Sequence, residues 1–303
     1  MASTEIHRQT FRVAVIGVGM MGTAIAQRFI DCGHQLSLHT RSLEKLRPLV
    51  DQGARAAASP ADAARGCDFV ITCVNSADIV RSVVFGGGGV AEVIAPPAVL
   101  IDMSSIDPAS TRQLAQELRG RCKVAWVDAP LSGGAAKAAK GQLTVMAGGD
   151  ADAVAHAHAL MQDLCANYTH MGPSGAGQTT KLVNQVLCAL GFQAMAEAVR
   201  LAEMGGVDAG RLADALRGGR ADSNILQEFA PQMAARHYPP TGALSLVLKD
   251  VDGVQALARS AGLALPLTTA ARQVYASLVD GGLGTAQVAE LMRQFDGAAR
   301  IPL

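Results

Sequence analysis

The chain has 303 residues, with Lys+Arg and Asp+Glu balanced at 26 each, half of its residues hydrophobic and only 4% aromatic. That length exceeds one ordinary domain and leaves ample apolar material for a core, so two domains are expected. A formal net charge of zero with no long run of one sign excludes the electrostatic footprint of a nucleic-acid or acidic-membrane binder. Apolar runs such as Val186 to Leu190 are interrupted well short of the ~18–20 residues a membrane span needs, so none is expected. The leading segment, Met1 to Thr10, is polar and lacks the apolar core of a secretory signal, which points to a cytoplasmic protein. Six cysteines, Cys32, Cys67, Cys73, Cys122, Cys165 and Cys188, show no CxxC pair or metal-ligand spacing; they read as reduced, small apolar fillers, and no metal is expected.

In chain order, Phe11 to Ile16 predicts a strand, Ala24 to Asp31 a helix and Gln35 to His39 a second strand. Asp68 to Val74, Val99 to Met103, Lys123 to Asp128 and Leu143 to Ala147 are further strand candidates, separated by helix-like stretches. Strands alternating with helices imply right-handed crossovers and a mainly parallel, doubly wound α/β domain, taken as residues 1–172. After about Gly172 the strand signals stop. Thr179 to Met204, Asp208 to Leu216, Leu244 to Ala261, Leu267 to Val279 and Ala286 to Phe295 predict an all-helical second domain, residues 173–303. A helix from about Gln178 to Met204 would run some ~39 Å, long enough to link two domains and meet a partner. It carries no charge but Lys181 before Glu197, which predicts burial on all sides over most of its length; a homodimer or homotetramer is the natural inference, and a helix threaded through one subunit's core explains it as well.

Gly17-Val18-Gly19-Met20-Met21-Gly22 fits the GxGxxG pattern directly after a strand and at the head of a helix, the context that turns a common glycine pattern into a dinucleotide site. Gly17 would allow the tight turn, Gly19 the close approach of a pyrophosphate and Gly22 the packing of helix on strand. The second strand ends in His39-Thr40-Arg41-Ser42, without the carboxylate that usually holds the ribose hydroxyls of NAD. Arg41 pairing with a 2′-phosphate, aided by Thr40 or Ser42, favours NADP(H) over NAD(H); the competing reading is a solvated surface arginine.

Two further stretches bear chemistry. Ser132-Gly133-Gly134 ends the turn after a strand, where consecutive N–H groups and a hydroxyl can nest a carboxylate; a plain turn that needs only glycine's flexibility fits as well. Gly175-Ala176-Gly177 leads into Lys181, Asn184 and Gln185, which at i, i+3 and i+4 share one helix face. An ammonium in so apolar a run must snorkel to water, find a partner, or lose its proton more readily, and the last state suits proton transfer. Asn184 and Gln185 can orient that amine or a small substrate's hydroxyl and carboxylate.

Taken together, the Gly17 to Gly22 motif, Asp102-Met103-Ser104-Ser105-Ile106, Asp128 to Gly134, Gly175 to Gln185 and Leu248-Lys249-Asp250 resemble the β-hydroxyacid dehydrogenase family, from Phe11 to about Phe295. The resemblance implies a proton-transferring lysine at Lys181, a substrate-carboxylate turn at Ser132, Gly133 and Gly134, and polar substrate contacts at Asn184 and Gln185. It implies cofactor contacts from Gly17 through Gly22 (including Val18, Met20 and Met21), at Val74 and Asn75, at Ser105 beside the nicotinamide ribose and at Lys249. Asn75 departs from the Leu-Pro that the family usually carries there. The activity implied interconverts a short 3-hydroxy acid and its semialdehyde, with tartronate semialdehyde and 3-hydroxyisobutyrate chemistry nearest and glyoxylate, succinate semialdehyde and threonate-type acids as alternatives. Specificity is expected near Asp222, Ser223, Asn224 and Phe229. An imine reductase on this scaffold would lack the lysine, and a non-catalytic NADPH-binding module would have no need of it.

Overall fold

A computed structural model describes residues 9–296, so most of the polar leading segment and the last seven residues of the second domain lie outside it. Two compact units part at Lys181/Leu182, inside a helix, where the sequence placed the boundary at the turn before that helix.

The first unit alternates strands and helices: β1 (Arg12–Ile16), α1 (Met20–Asp31), β2 (Gln35–His39), α2 (Arg47–Val50), β3 (Arg55–Ala56), α3 (Pro60–Ala64), β4 (Phe69–Thr72), α4 (Ala77–Phe85), β5 (Val99–Asp102), α5 (Pro108–Cys122), β6 (Ala125–Asp128), β7 (Leu131–Ser132), α6 (Gly134–Ala139), β8 (Leu143–Gly148), α7 (Ala151–Met161) and β9 (Cys165–Gly172). The sheet runs β3-β2-β1-β4-β5-β6-β8-β7, with β9 on β8. It is parallel from β3 to β6; the antiparallel pairs are β8 with β6 and β8 with β7. β4 and β5 are buried on both faces, as strands covered by helices on either side must be. Two apolar clusters result, one holding Val13, Val15, Phe29 and Ile71, the other Ile16, Val70, Leu100 and Trp126. Helix α1 starts at Met20, four residues ahead of its apolar pattern, because Gly19 is its extended N-cap. β5 and β6 stop at aspartates, and Lys123 sits just past α5 in the left-handed region that ends a helix.

From α8 (Ala176–Met204) onward, secondary structure among the described residues is helical save one isolated bridge, Ala243 to Gln287. α9 (Leu212–Ala215), α10 (Asn224–Ala234), α11 (Leu244–Ser260), α12 (Pro266–Leu278) and a 3-10 turn over Val288–Phe295 follow. The predicted 208–216 helix is a 3-10 turn followed by one short helix, and α10 had no counterpart in the sequence reading. Val199, Leu226, Phe229, Val251 and Tyr275 belong to the core of this second unit. Within a single chain, burial of α8 on all sides does not hold. Val183, Leu187, Leu201 and Met204 are 57%, 67%, 75% and 70% exposed, along a stripe at helical spacing. By length and composition alone α8 also reaches what a membrane span requires, a test that the central helix of a soluble protein passes too. It does so with Lys181, Asn184, Gln185 and Gln193 within it, which is why uninterrupted runs concealed it.

Candidate active site

The carboxyl ends of β1, β2 and β4 open onto a cleft of about 570 Å³ lined by Gly17, Val18, Gly19, Thr40, Arg41, Val74 and Asn75, together with His39, Ser42, Lys45 and Asp78. This is the edge at which doubly wound sheets take their ligands. The glycines divide by what crowds them. A Cβ at Gly17 would stand 2.3 Å from Cys73 O, and one at Gly22 would stand 2.1 Å from Gly17 O, so the chain's own packing forbids both. A Cβ at Gly19 would meet nothing within 4 Å. The space above Gly19 is open, and no side chain caps the first turn of α1, leaving its backbone N–H groups for an anion. These residues fit a dinucleotide's pyrophosphate. Met20 is 80% exposed in that turn, whereas Met21 packs partly against the core. Past the end of β2 the lining includes Arg41 and, in the following 3-10 turn, Lys45; the acid in the lining is Asp78, on α4.

The ends of β4, β5 and β6 carry a buried polar network that the sequence reading missed. Thr72 donates its hydroxyl to Asp102 Oδ1 at 2.9 Å, and the Ser104 N–H donates to the same oxygen at 3.1 Å. Burial pushes the Asp102 carboxyl up to about 6, opposed by these hydrogen bonds and aided by the charge of Asp128; Asp102 Oδ2 is buried without a partner. Ser104 Oγ accepts from the Val74 N–H at 3.0 Å, tying the Val74-Asn75 loop to the loop that carries Ser105. Asp128 accepts from the N–H groups of Gly175 (2.9 Å) and Gln178 (3.1 Å), so a buried carboxylate holds the entry and first turn of α8. Burial raises the Asp128 pKa, against the pull of those donors. A sequence signal existed: a strand as apolar as Val99-Leu100-Ile101 or Trp126-Val127 that ends in an aspartate buries an ionisable group, which demands a reason.

Lys181 is half-buried, one turn beyond Gln178 on α8. Ser132 ends β7 opposite Thr144, and Gly133 follows at φ +127°, a conformation open to glycine, as the N-cap of α6. Asn184 and Gln185 engage each other: Asn184 Nδ2 donates to Gln185 Oε1 at 2.8 Å, and Gln185 Nε2 donates to Asp250 Oδ2 on α11 at 2.5 Å. Gln185 is thus committed within the helical unit. Lys249 is exposed on α11. Of the residues expected to set specificity, Asp222 accepts from Gln227 Nε2 and the Gly218 N–H, Ser223 caps α10 through the Leu226 N–H, and Phe229 is core, its ring 4.7 Å from that of Phe192. Those positions serve the helical unit's own structure. No cluster of three or more metal-ligating side chains occurs among the described residues.

Comparison with known proteins gives this geometry a lineage. Residues 12–172 match the model for the NAD binding domain of 6-phosphogluconate dehydrogenase, and residues 175–295 match that for the NAD-binding domain of NADP-dependent 3-hydroxyisobutyrate dehydrogenase. The chain is 34% identical over 289 residues to a probable 3-hydroxyisobutyrate dehydrogenase-like protein of Arabidopsis thaliana, covering 94% of this chain and 95% of that protein. It is 32% identical over 278 residues to the 2-hydroxy-3-oxopropionate reductase of Escherichia coli, covering 89% and 92%. The crystal structure of a 3-hydroxyisobutyrate dehydrogenase from Salmonella typhimurium superposes with a TM-score of 0.83 at 28% identity, covering 93% of this chain and 99% of that one. The chain therefore belongs to the β-hydroxyacid dehydrogenase family and is an NAD(P)-dependent hydroxyacid dehydrogenase.

Proposed function

We propose that this protein interconverts a short 3-hydroxy acid and its semialdehyde, of the tartronate semialdehyde or 3-hydroxyisobutyrate type, with NADP(H) preferred and Lys181 as general acid and base. The observation that carries the reading is the anchoring of the Lys181 helix, through Asp128, to the sheet edge where the dinucleotide cleft opens. When bound, the nicotinamide cofactor supplies or accepts the hydride at the carbonyl carbon. Lys181 gives a proton to the alkoxide oxygen in reduction and removes it from the hydroxyl in oxidation. The Ser132 hydroxyl and the N–H groups of Gly133 and Gly134 hold the substrate carboxylate, and Asn184 orients the reacting oxygen. Arg41 and Lys45 at the end of β2 supply the positive charge that a 2′-phosphate needs.

The test is NADPH and NADH consumption with a panel of tartronate, methylmalonate and succinate semialdehydes and glyoxylate. The reading expects kcat/KM to be highest for tartronate or methylmalonate semialdehyde with NADPH; a preference for succinate semialdehyde, whose product is a 4-hydroxy acid, or a lack of turnover with every member contradicts it. The same reading places the protein in the cytoplasm, without metal, nucleic-acid or membrane partners, as a homodimer or homotetramer whose second copy covers the exposed stripe of Val183, Leu187 and Leu201. Light scattering of the purified protein tests that assembly, and a monomer at micromolar concentration contradicts it.

A further inference from the structure

We propose that Gln178 is a positioning residue for Lys181: its side-chain amide locks the first turn of α8 to the loop after β5 and so fixes where the Lys181 amine stands relative to Ser105. The inference rests on the reading of Lys181 as proton donor and acceptor.

Gln178 is only 1% exposed, a place where a primary amide is costly unless both ends are paired. Both are. Its Nε2 donates to Ser104 O at 2.7 Å, and its Oε1 accepts from the Ile106 N–H at 3.3 Å. The two contacts straddle Ser105, so one planar amide clamps the backbone on either side of that residue. A helix held by apolar packing alone can slide or turn at little cost, whereas a two-point hydrogen bond fixes its height and its azimuth together. The clamped loop is itself held, because Ser104 accepts from the Val74 N–H and donates its own N–H to Asp102. The helix backbone is held as well, by Asp128, which accepts from the Gln178 N–H. Between these grips there is no slack: a Cβ at Gly177 would lie 2.4 Å from Met146 O and 2.6 Å from Asp128 O. Lys181 follows Gln178 by three residues, a rise of ~4.5 Å on the same side of the helix. A small shift of the clamp therefore moves the Lys181 backbone with it, and misplacement of a reacting group by ~1 Å costs on the order of 10²-fold.

Gln178 carries no charge, so its contribution is geometric. Gln178→Met keeps the length and the apolar stem but removes both hydrogen bonds. It should be made alone and together with Lys181→Ala, and each protein assayed for kcat and KM with the best substrate of the semialdehyde panel, for NADPH affinity by nicotinamide fluorescence, and for cofactor-free thermal stability. The expected result is a kcat about 10–100-fold lower with KM and NADPH affinity within about threefold of wild type, and less than a twofold further loss when Gln178→Met is added to Lys181→Ala. Should Gln178→Met give no cooperative melt, Gln178→Glu replaces it in the same comparison. It keeps the acceptor for Ile106 and regains a donor to Ser104 when protonated, so its kcat deficit should shrink as pH falls. Wild-type kcat, an equal loss in both backgrounds, or a pH-independent deficit in Gln178→Glu overturns the inference. Wild-type turnover by Lys181→Ala would instead overturn the reading of Lys181, and the two failures are separately visible.

Discussion

The Thr72 hydroxyl donates to Asp102 Oδ1 at 2.9 Å, joining the last residues of two adjacent parallel strands beneath the loops that carry Val74 and Ser105. The other carboxyl oxygen of Asp102 is buried with no partner. The site is thus built over a carboxyl group that the fold keeps protonated more readily than water would.

This relationship has a measurable pH signature. Burial raises the Asp102 pKa from 3.8 to about 6. Between those values the folded state holds a proton that the unfolded state has lost, so this group's contribution to stability is largest at low pH and falls as pH rises through about 4 to 6. The full swing is on the order of 3 kcal/mol. Asp102→Asn retains the acceptor for Thr72 and Ser104 and carries no charge at any pH. Thermal melts should show the variant gaining stability relative to wild type as pH rises from 4 to 6, then a constant difference; a difference that ignores pH contradicts the assignment.

A second buried pair lies at the opposite end of the sheet. The Phe11 N–H donates to His34 Nδ1 at 3.2 Å, which makes Nδ1 the acceptor and leaves Nε2–H to donate to Asp163 Oδ2 at 2.9 Å. Both side chains are essentially inaccessible, at 0% and 2% exposure. His34→Phe fills the volume but leaves a buried carboxylate short of a donor, an expected loss of about 2–4 kcal/mol. Asp163→Asn, which still offers an oxygen to Nε2–H, should lose about half as much or less. Denaturant unfolding checks the order; equal losses would show that the carboxylate's charge, not its missing donor, dominates.

In the proposed reading, cofactor choice turns on Arg41. Arg41 and Lys45 both line the cleft past the end of β2, and His39-Thr40-Arg41-Ser42 carries no carboxylate, which supports the proposed 2′-phosphate contact. Arg41→Ala should cut the ratio of kcat/KM for NADPH over NADH by about 10–100-fold, the value of one charge-assisted contact, while leaving kcat with NADH unchanged. A wild-type preference for NADH would remove the basis for this expectation.

The sequence was most legible where backbone and burial speak together. Gln35 to His39 is a strand residue for residue, because alternating apolar side chains set its period. β9 escaped notice because Cys165 to Gly172 exposes five of its eight residues and is held by backbone pairing to β8, which leaves little apolar pattern to read. α10 was hidden by a polar lead-in and by Pro231, whose missing N–H argues against a helix that Ser223 nevertheless caps. The glycine turn and the polar stripe of Lys181, Asn184 and Gln185 on α8 were visible because local spacing encodes them. The Asp102, Ser104 and Gln178 network was not, because its partners stand 30 to 74 residues apart and meet only at the sheet edge. The exposed stripe on α8 misled in another way: an apolar helix reads as buried whether its own chain covers it or leaves it bare.

The most direct test of the account is the pre-steady-state reduction of the best semialdehyde by NADPH in Lys181→Ala, compared with wild type and read beside NADPH affinity. The account predicts a first-turnover rate lower by about 10²–10⁴-fold with affinity for NADPH within about threefold. A first-turnover rate equal to that of wild type in the folded variant would contradict it.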